Sequence, residues 1–174
     1  MFSKPPIVDQ VRYILIIFCV FLFSLTLISC ATSDDDKTSS TSSISGTSEH
    51  LYEVIYGNGI FVTVGDKGTI ITSSNGTHWK VRTSGTSKYL WGITYGNGLF
   101  VTVGRRTIFT SSDGTSWTKI NSGTSRHLRG ITYGNGLFVT VGEDGIILTS
   151  SNGTSWTQRT SGTSEYLNGV TYSQ

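Results

Sequence analysis

Residues 51–82 read LYEVIYGNGIFVTVGDKGTIITSSNGTHWKVR, and the reading of this stretch decides the architecture of the chain. Short runs of β-branched and aromatic residues alternate with glycine-bearing turn signals, and no 3.6-residue apolar period runs through them. The spacing predicts strands at 51–56, 60–64, 69–73 and 78–82. Asn58-Gly59 separates the first two and suits the two positive φ angles of a type I′ hairpin. Gly65-Asp66-Lys67-Gly68 and Ser74-Asn75-Gly76-Thr77 supply the other turns. In the second strand Ile60, Val62 and Val64 share one face, while Phe61 and Thr63 share the other. Ile70 and Ile71 likewise point to opposite faces. A sheet that is apolar on both faces must be covered on both.

The same text is written three times and then begins again. Tyr-Gly-Asn-Gly starts at Tyr56, Tyr95 and Tyr133, and Tyr172 opens a fourth copy, so the steps are 39, 38 and 39 residues. Ser-Gly-Thr-Ser keeps the same step from Ser45 through Ser84, Ser122 and Ser161. A third marker, Thr-Ser-Ser-Asn/Asp-Gly-Thr-x-Trp, ends at Trp79, Trp117 and Trp156. A fixed period of this size signals stacked supersecondary units, none of which buries its apolar faces alone. Four-stranded sheets stacked face to face around an axis make a β-propeller. The expected fold is all-β: a partial propeller of about three four-stranded antiparallel blades plus one extra strand at 167–172. The repeats run 45–83, 84–121, 122–160 and, in part, 161–174. Propellers usually hold four to eight blades, which leaves three outcomes open. Two chains could complete one ring, the chain could be a truncated relic, or three repeats could close as a β-trefoil.

The segment Ser111-Ser112-Asp113-Gly114-Thr115-Ser116-Trp117 resembles the Asp-box of bacterial-neuraminidase-type repeats, in a form one residue shorter before the glycine. That resemblance implies a structural role in the hairpin between a blade's third and fourth strands. The residues it singles out are Ser73, Asn75, Gly76 and Trp79, then Ser111, Asp113, Gly114 and Trp117, then Ser150, Asn152, Gly153 and Trp156. Because Asn75 and Asn152 stand where the box has aspartate, no carboxylate function rests on it. The whole repeat also resembles the propeller repeats of photosystem II assembly factors and of exported bacterial proteins.

Residues 1–29 form a different kind of text. Lys4 and Arg12 precede an almost uninterrupted apolar run from Tyr13 to Ile28, the pattern of a secretory signal helix. Leu27-Ile28-Ser29-Cys30 at its end resembles the bacterial lipobox. The resemblance implies acylation of Cys30, which would become the first mature residue, and two or more acyl chains anchor stably. Ala31 after the cysteine favours, by the same resemblance, the outer over the inner membrane of the bacterial envelope. Cys19 and Cys30 are the two cysteines, so the repeats must be held by burial and sheet hydrogen bonds. Residues 30–44 are a Ser/Thr-rich tether with little to bury. Its Asp34-Asp35-Asp36 cluster lacks the glycine turn and distant glutamate of a calcium loop.

With the signal removed, 11 basic residues face 10 acidic ones, a balance that does not point to nucleic acid. Residues repeated in every copy serve packing in every copy, so function is sought where copies differ. Tyr52, Trp91 and Arg129 occupy one equivalent position, with His50, Tyr89 and His127 two residues before it. Arg105-Arg106 replaces the acidic turns of the other copies. The first six residues form the candidate binding face. The histidines have no carboxylate at a fixed spacing, so neither a metal, another cofactor nor a catalytic residue is expected. The reading is a non-catalytic, membrane-anchored binding or scaffolding module for protein or carbohydrate, with a homo-oligomer as one route to ring closure. The alternatives are part of a sialidase-like glycan-processing enzyme, or a relic without function.

Overall fold

The computed structural model describes residues 46–173. The expected signal segment, Cys30 and the tether to residue 44 lie outside the described residues. The first repeat forms β1 (Leu51–Gly57), β2 (Ile60–Gly65), β3 (Ile70–Ser73) and β4 (Lys80–Arg82). The second forms β5 (Leu90–Gly96), β6 (Leu99–Gly104), β7 (Thr107–Ser111) and β8 (Thr118–Ile120). The third forms β9 (Leu128–Gly134), β10 (Leu137–Gly142), β11 (Ile147–Ser150) and β12 (Thr157–Arg159). Each repeat is one antiparallel four-stranded sheet with strands in chain order, and every ladder stays inside its own repeat. This is the blade arrangement of a partial propeller. The trefoil alternative, which needs pairing between repeats, is excluded.

The hairpin turns follow the sequence. Asn58 and Gly59 take φ of 47° and 78°, the expected left-handed pair. Two strands start later than expected, each because a turn keeps their first residues. Thr69 N–H closes a single 3-10 turn onto Asp66 O at 2.8 Å, so β3 begins at Ile70. The N–H groups of Thr77 and His78 both bind Asn75 Oδ1 at 3.0 Å, so β4 begins at Lys80.

Stacking uses opposite faces of successive sheets. Val62, Val64 and Ile70 of the first blade pack against Leu90, Ile93, Phe100 and Phe109 of the second. Val101, Val103 and Ile108 of the second repeat the contact against Leu128, Ile131, Phe138 and Leu148 of the third. Each sheet therefore has a front face of small branched residues and a back face of larger ones. Trp117 and Trp156 flank these two clusters from the turn before the last strand. At the inner strands the next blade's tyrosine lies flat on a glycine. A methyl on Gly57 would stand 2.3 Å from Tyr95 Cγ, and one on Gly96 would stand 2.1 Å from Tyr133 Cγ. The first glycine of Tyr-Gly-Asn-Gly is thus required by a ring, and the second by the turn.

Residues 167–172 carry no ladder bonds but lie where a fourth first strand would begin. Leu167 N–H donates to Gly142 O at 3.0 Å. Gly169 Cα sits 3.0 Å from where a methyl on Gly130 would be, and Tyr172 covers Gly134 as the earlier tyrosines cover their glycines. The expected extra strand is present as a packed segment with no partners of its own.

The two glycines of one marker make a direct test. Gly98 has φ of +73°, and a methyl added there would meet nothing within 4 Å, so Gly98→Ala should cost about 1 kcal/mol of backbone strain. Gly96→Ala must dislodge Tyr133 and should cost about 3 kcal/mol. Urea unfolding with an unchanged m-value measures both, and equal losses would sink the ring-on-glycine account.

Candidate functional site

The variable residues owe their position to a β-bulge repeated in every blade. Leu51 faces Gly65 and Glu53 faces Val64, which leaves Tyr52 without a cross-strand partner. Trp91 and Arg129 are the extra residues at the same place in β5 and β9. A bulge bends its strand and re-aims the extra side chain. A close backbone contact fixes it: a methyl on Gly65, Gly104 or Gly142 would fall about 2 Å from the carbonyl oxygen of His50, Tyr89 or His127. The N–H of the following residue donates to that same carbonyl, from Asp66, Arg105 and Glu143 at 2.9, 2.9 and 3.0 Å. Each bulge residue is thereby placed beside the first residue of the β2–β3, β6–β7 or β10–β11 turn.

Each blade fills this arrangement differently. In the first, Tyr52 OH donates to Asp66 Oδ1. That hydrogen bond, then burial and the charge on Asp66, raise the Tyr52 phenol above its ordinary range, with Trp91 pulling the other way. In the second, Tyr89 stacks on Trp91 with centroids 6.2 Å apart and planes 11° from parallel. In the third, Glu143 Oε1 accepts from Arg129 Nη2 at 3.0 Å and lies 2.9 Å from His127 Nδ1. Burial pushes the Glu143 carboxyl up, but the Arg129 hydrogen bond and the neighbouring His127 outweigh it, so its pKa lies below the usual range.

Contacts between blades join these pieces into one ledge. The Arg129 guanidinium sits 4.6 Å above the Trp91 ring and 5.9 Å from the Tyr166 ring. His127 meets Trp91 at 5.6 Å and 56°. Such cation–π and tilted ring contacts are each worth about 0.5–2 kcal/mol. Beneath the ledge Glu53 crosses from β1 to accept the Ile93 N–H at 2.7 Å; burial raises its pKa, and this bond opposes the rise. Next to the ledge, a groove of about 410 Å³ is lined by Lys67, Ser87, Lys88, Tyr89, Arg105 and Arg106.

Of the six residues expected on the binding face, the structure brings together Tyr89, Trp91, His127 and Arg129, with Tyr52 beside them. His50 is exposed and contributes its backbone carbonyl. Sequence reasoning missed Asp66 and Glu143, the acidic partners of bulge residues; Tyr166 is the fourth copy's counterpart of His50, Tyr89 and His127 and joins the ledge as they do. A usable signal existed: the residue after each strand-two glycine changes along with the bulge residue. Among the described residues, no group of three His, Cys, Asp or Glu side chains could hold a metal ion.

The Ser-Asn/Asp-Gly-Trp turns lie apart from the ledge and are internally closed. Gly76, Gly114 and Gly153 N–H groups donate to the Ser73, Ser111 and Ser150 hydroxyls at 2.8, 2.8 and 2.9 Å. Trp79, Trp117 and Trp156 Nε1 donate back to the glycine carbonyls at 3.1, 3.2 and 3.0 Å. Oδ1 of Asn75, Asp113 and Asn152 accepts two backbone N–H groups in every copy.

No family model matches the sequence, and no curated protein matches it. Among solved structures, YCF48 bound to a D1 peptide aligns with TM-score 0.57 and 19% identity, over 66% of this chain and 40% of that one. A structure from the GH130 family of mannoside phosphorylases aligns with TM-score 0.41 and 14% identity, over 69% and 51%. The chain thus spans well under two thirds of either structure. The first likeness shows a shared propeller-type fold.

The Glu143 node carries a pH signature. Its carboxyl ionises more readily folded than unfolded, so its contribution is present above the unfolded value and fades as pH falls through the lower folded one. Glu143→Gln should lose about 1–3 kcal/mol at neutral pH, the range for a hydrogen bond to a charged group. The gap to the parent protein should narrow in urea titrations taken into the acid range. A gap independent of pH would contradict the ion-paired reading.

Proposed function

We propose that this protein is a non-catalytic binding or scaffolding module of the bacterial cell envelope, held on the membrane by lipid at Cys30. The outer membrane is favoured over the inner, from Ala31. The ledge of Tyr52, Tyr89, Trp91, His127 and Arg129 grips a segment of a protein partner. One observation carries this reading. The bulge sets aside one side chain per blade that neither the ladder nor the core needs, and those side chains differ between copies and meet. Rigid aromatic plates beside an arginine are the usual composition of an interaction hot spot. The cationic groove beside them suits a segment that carries acidic side chains. The propeller likeness to YCF48, whose structure holds a D1 peptide, supports a peptide ligand. The parallel Tyr89–Trp91 pair also suits a sugar ring, which keeps carbohydrate as the second ligand class.

A displayed peptide library and a glycan array, probed in parallel, separate the two classes. Trp91→Ala and Arg129→Ala should each weaken the selected ligand at least about ten-fold, the effect of losing a hot-spot side chain. Far-ultraviolet circular dichroism of each variant should match the parent, which separates loss of the ligand contact from loss of the blades. Sugar release from a fluorogenic sialoside or mannoside would overturn the non-catalytic reading in favour of a glycan-processing enzyme. For the anchor, Cys30→Ser should abolish labelling by palmitate and move the protein out of the membrane fraction.

A further inference from the structure

Three charged positions recur in every blade, each fixed by the same backbone feature. At the first, the N–H groups of Glu49, Lys88 and Arg126 donate to the hydroxyls of Thr47, Thr86 and Thr124, each at 3.1 Å. The second is the opening residue of the turn, Asp66, Arg105 or Glu143, whose N–H donates to the carbonyl of His50, Tyr89 or His127. The third is the next turn residue, Lys67, Arg106 or Asp144, with left-handed φ of 51°, 59° and 53°.

The backbone is shared, but the charges are not. In the first blade the first and third positions form an ion pair, Glu49 with Lys67 at 2.9 Å. In the third blade they form the same pair with the signs exchanged, Arg126 with Asp144. The second position is acidic in both and accepts from the bulge residue, Tyr52 or Arg129. Each of these blades therefore carries two acids and one base. The second blade carries three bases, Lys88, Arg105 and Arg106, and no acid. Among the described residues no ion pair engages any of the three. All three line the groove of about 410 Å³, where Lys67 joins them with its charge matched by Glu49. Like charges gathered where the fold elsewhere sets opposite ones repel and destabilise. Folding does not require this, because the same backbone holds an ion pair of either polarity.

The charge that is missing defines the ligand. A single carboxylate side chain would offset one of the three bases. A phosphate monoester carries about −1.5 to −2 near neutrality and three acceptor oxygens, and guanidinium forks match those oxygens in pairs. Tyr89 belongs both to the groove and to the parallel pair with Trp91. An anion held by the arginines thus has a flat aromatic plate beside it, whose negative face attracts the polarised C–H groups of a sugar ring. We propose that this groove binds a phosphate monoester carried on a sugar, with the phosphoryl group on Lys88, Arg105 and Arg106 and the ring against Tyr89. The inference rests on the reading of the ledge as a binding surface and narrows its carbohydrate class. A free sugar phosphate and the phosphorylated sugar headgroup of a lipid present the same chemistry.

Titration calorimetry of the full-length chain in a neutral detergent tests it. Glucose-6-phosphate should bind at least about ten-fold more tightly than glucose or inorganic phosphate, and more weakly as salt rises. Arg106→Asp rebuilds the third blade's ion pair and Lys88→Glu the first blade's. Each should keep the parent's circular dichroism and lose at least about ten-fold in affinity. Lys119→Glu makes the same change in net charge at an exposed site outside the groove, and should stay within about two-fold of the parent. An equal loss with Lys119→Glu means unspecific charge attraction and overturns the site. So does a phosphoserine peptide that binds more tightly than the sugar phosphate, which assigns the groove to a protein. Displacement of glucose-6-phosphate at lower concentration by monophosphoryl lipid A than by glucosamine-1-phosphate supports the site with a lipid headgroup as its source, and the reverse order supports it with a free sugar phosphate. If glucose-6-phosphate does not bind while a library or array ligand is still weakened by Trp91→Ala, the phosphate site is overturned and the ledge reading stands.

Discussion

Every other feature of this molecule depends on one contact, the front face of one small sheet laid on the back face of the next. The strands are three to seven residues long, and a sheet of that size has too little buried area to stand alone. Neither cysteine lies in the repeats, so no disulfide compensates. The stabilising term is therefore burial between blades, at roughly 25 cal/mol per Å² of apolar surface removed from water. This explains why the copies agree so closely at Val62/Val101, Phe100/Phe138 and the tyrosine–glycine seats. Each must fit both the blade before it and the blade after it.

Most of the fold was legible because these constraints are local in sequence. Alternation gave the faces, Asn-Gly gave the hairpins, and apolar character on both faces required stacking. The boundaries at Ile70 and Lys80 were not legible, because turn residues compete with the ladder for the same N–H groups. The function of Gly57 and Gly96 was also hidden. Their ring partners lie 38 residues further on and 37 residues further on, and neither glycine takes a positive φ that would betray a conformational role. For the site, sequence comparison between copies located Tyr52, Trp91 and Arg129 but could not foresee their partners. Asp66 and Glu143 reach them only through the bulge. Glycine at positions 92 and 130, inside a strand otherwise rich in apolar residues, was its available trace.

The Ser-Asn/Asp-Gly-Trp turn shows how a polar residue can recur without carrying chemistry. Asp113 accepts from Ser116 N–H, Thr115 N–H, the Thr115 hydroxyl and the Ser111 hydroxyl. Those donors hold its carboxyl well below the usual carboxylate range. A carboxylate so fully engaged is a poor base and an unsuitable acid near neutrality. The amides of Asn75 and Asn152 accept the same backbone donors through the same Oδ1 atom. What the turn needs is one oxygen at one position, so either residue serves, and its repetition reports folding.

The bulge gives the opposite case, a position that folding leaves free. A residue without a cross-strand partner and outside both stacking faces can change without loosening the sheet. Tyrosine, tryptophan and arginine accordingly occupy equivalent sites in three otherwise near-identical blades. The choice is still constrained from one side, by the turn residue it meets: Tyr52 donates to Asp66 and Arg129 to Glu143. Trp91 faces a blade whose turn offers Arg105 instead of an acid, and takes its contacts from Tyr89, His127 and Arg129. The second blade thus turns its bulge residue toward its neighbours and leaves its turn cationic and open. A binding surface confined to such positions can diverge while the stacking contacts stay fixed, which is the physical basis for assigning recognition to the ledge and cohesion to the faces.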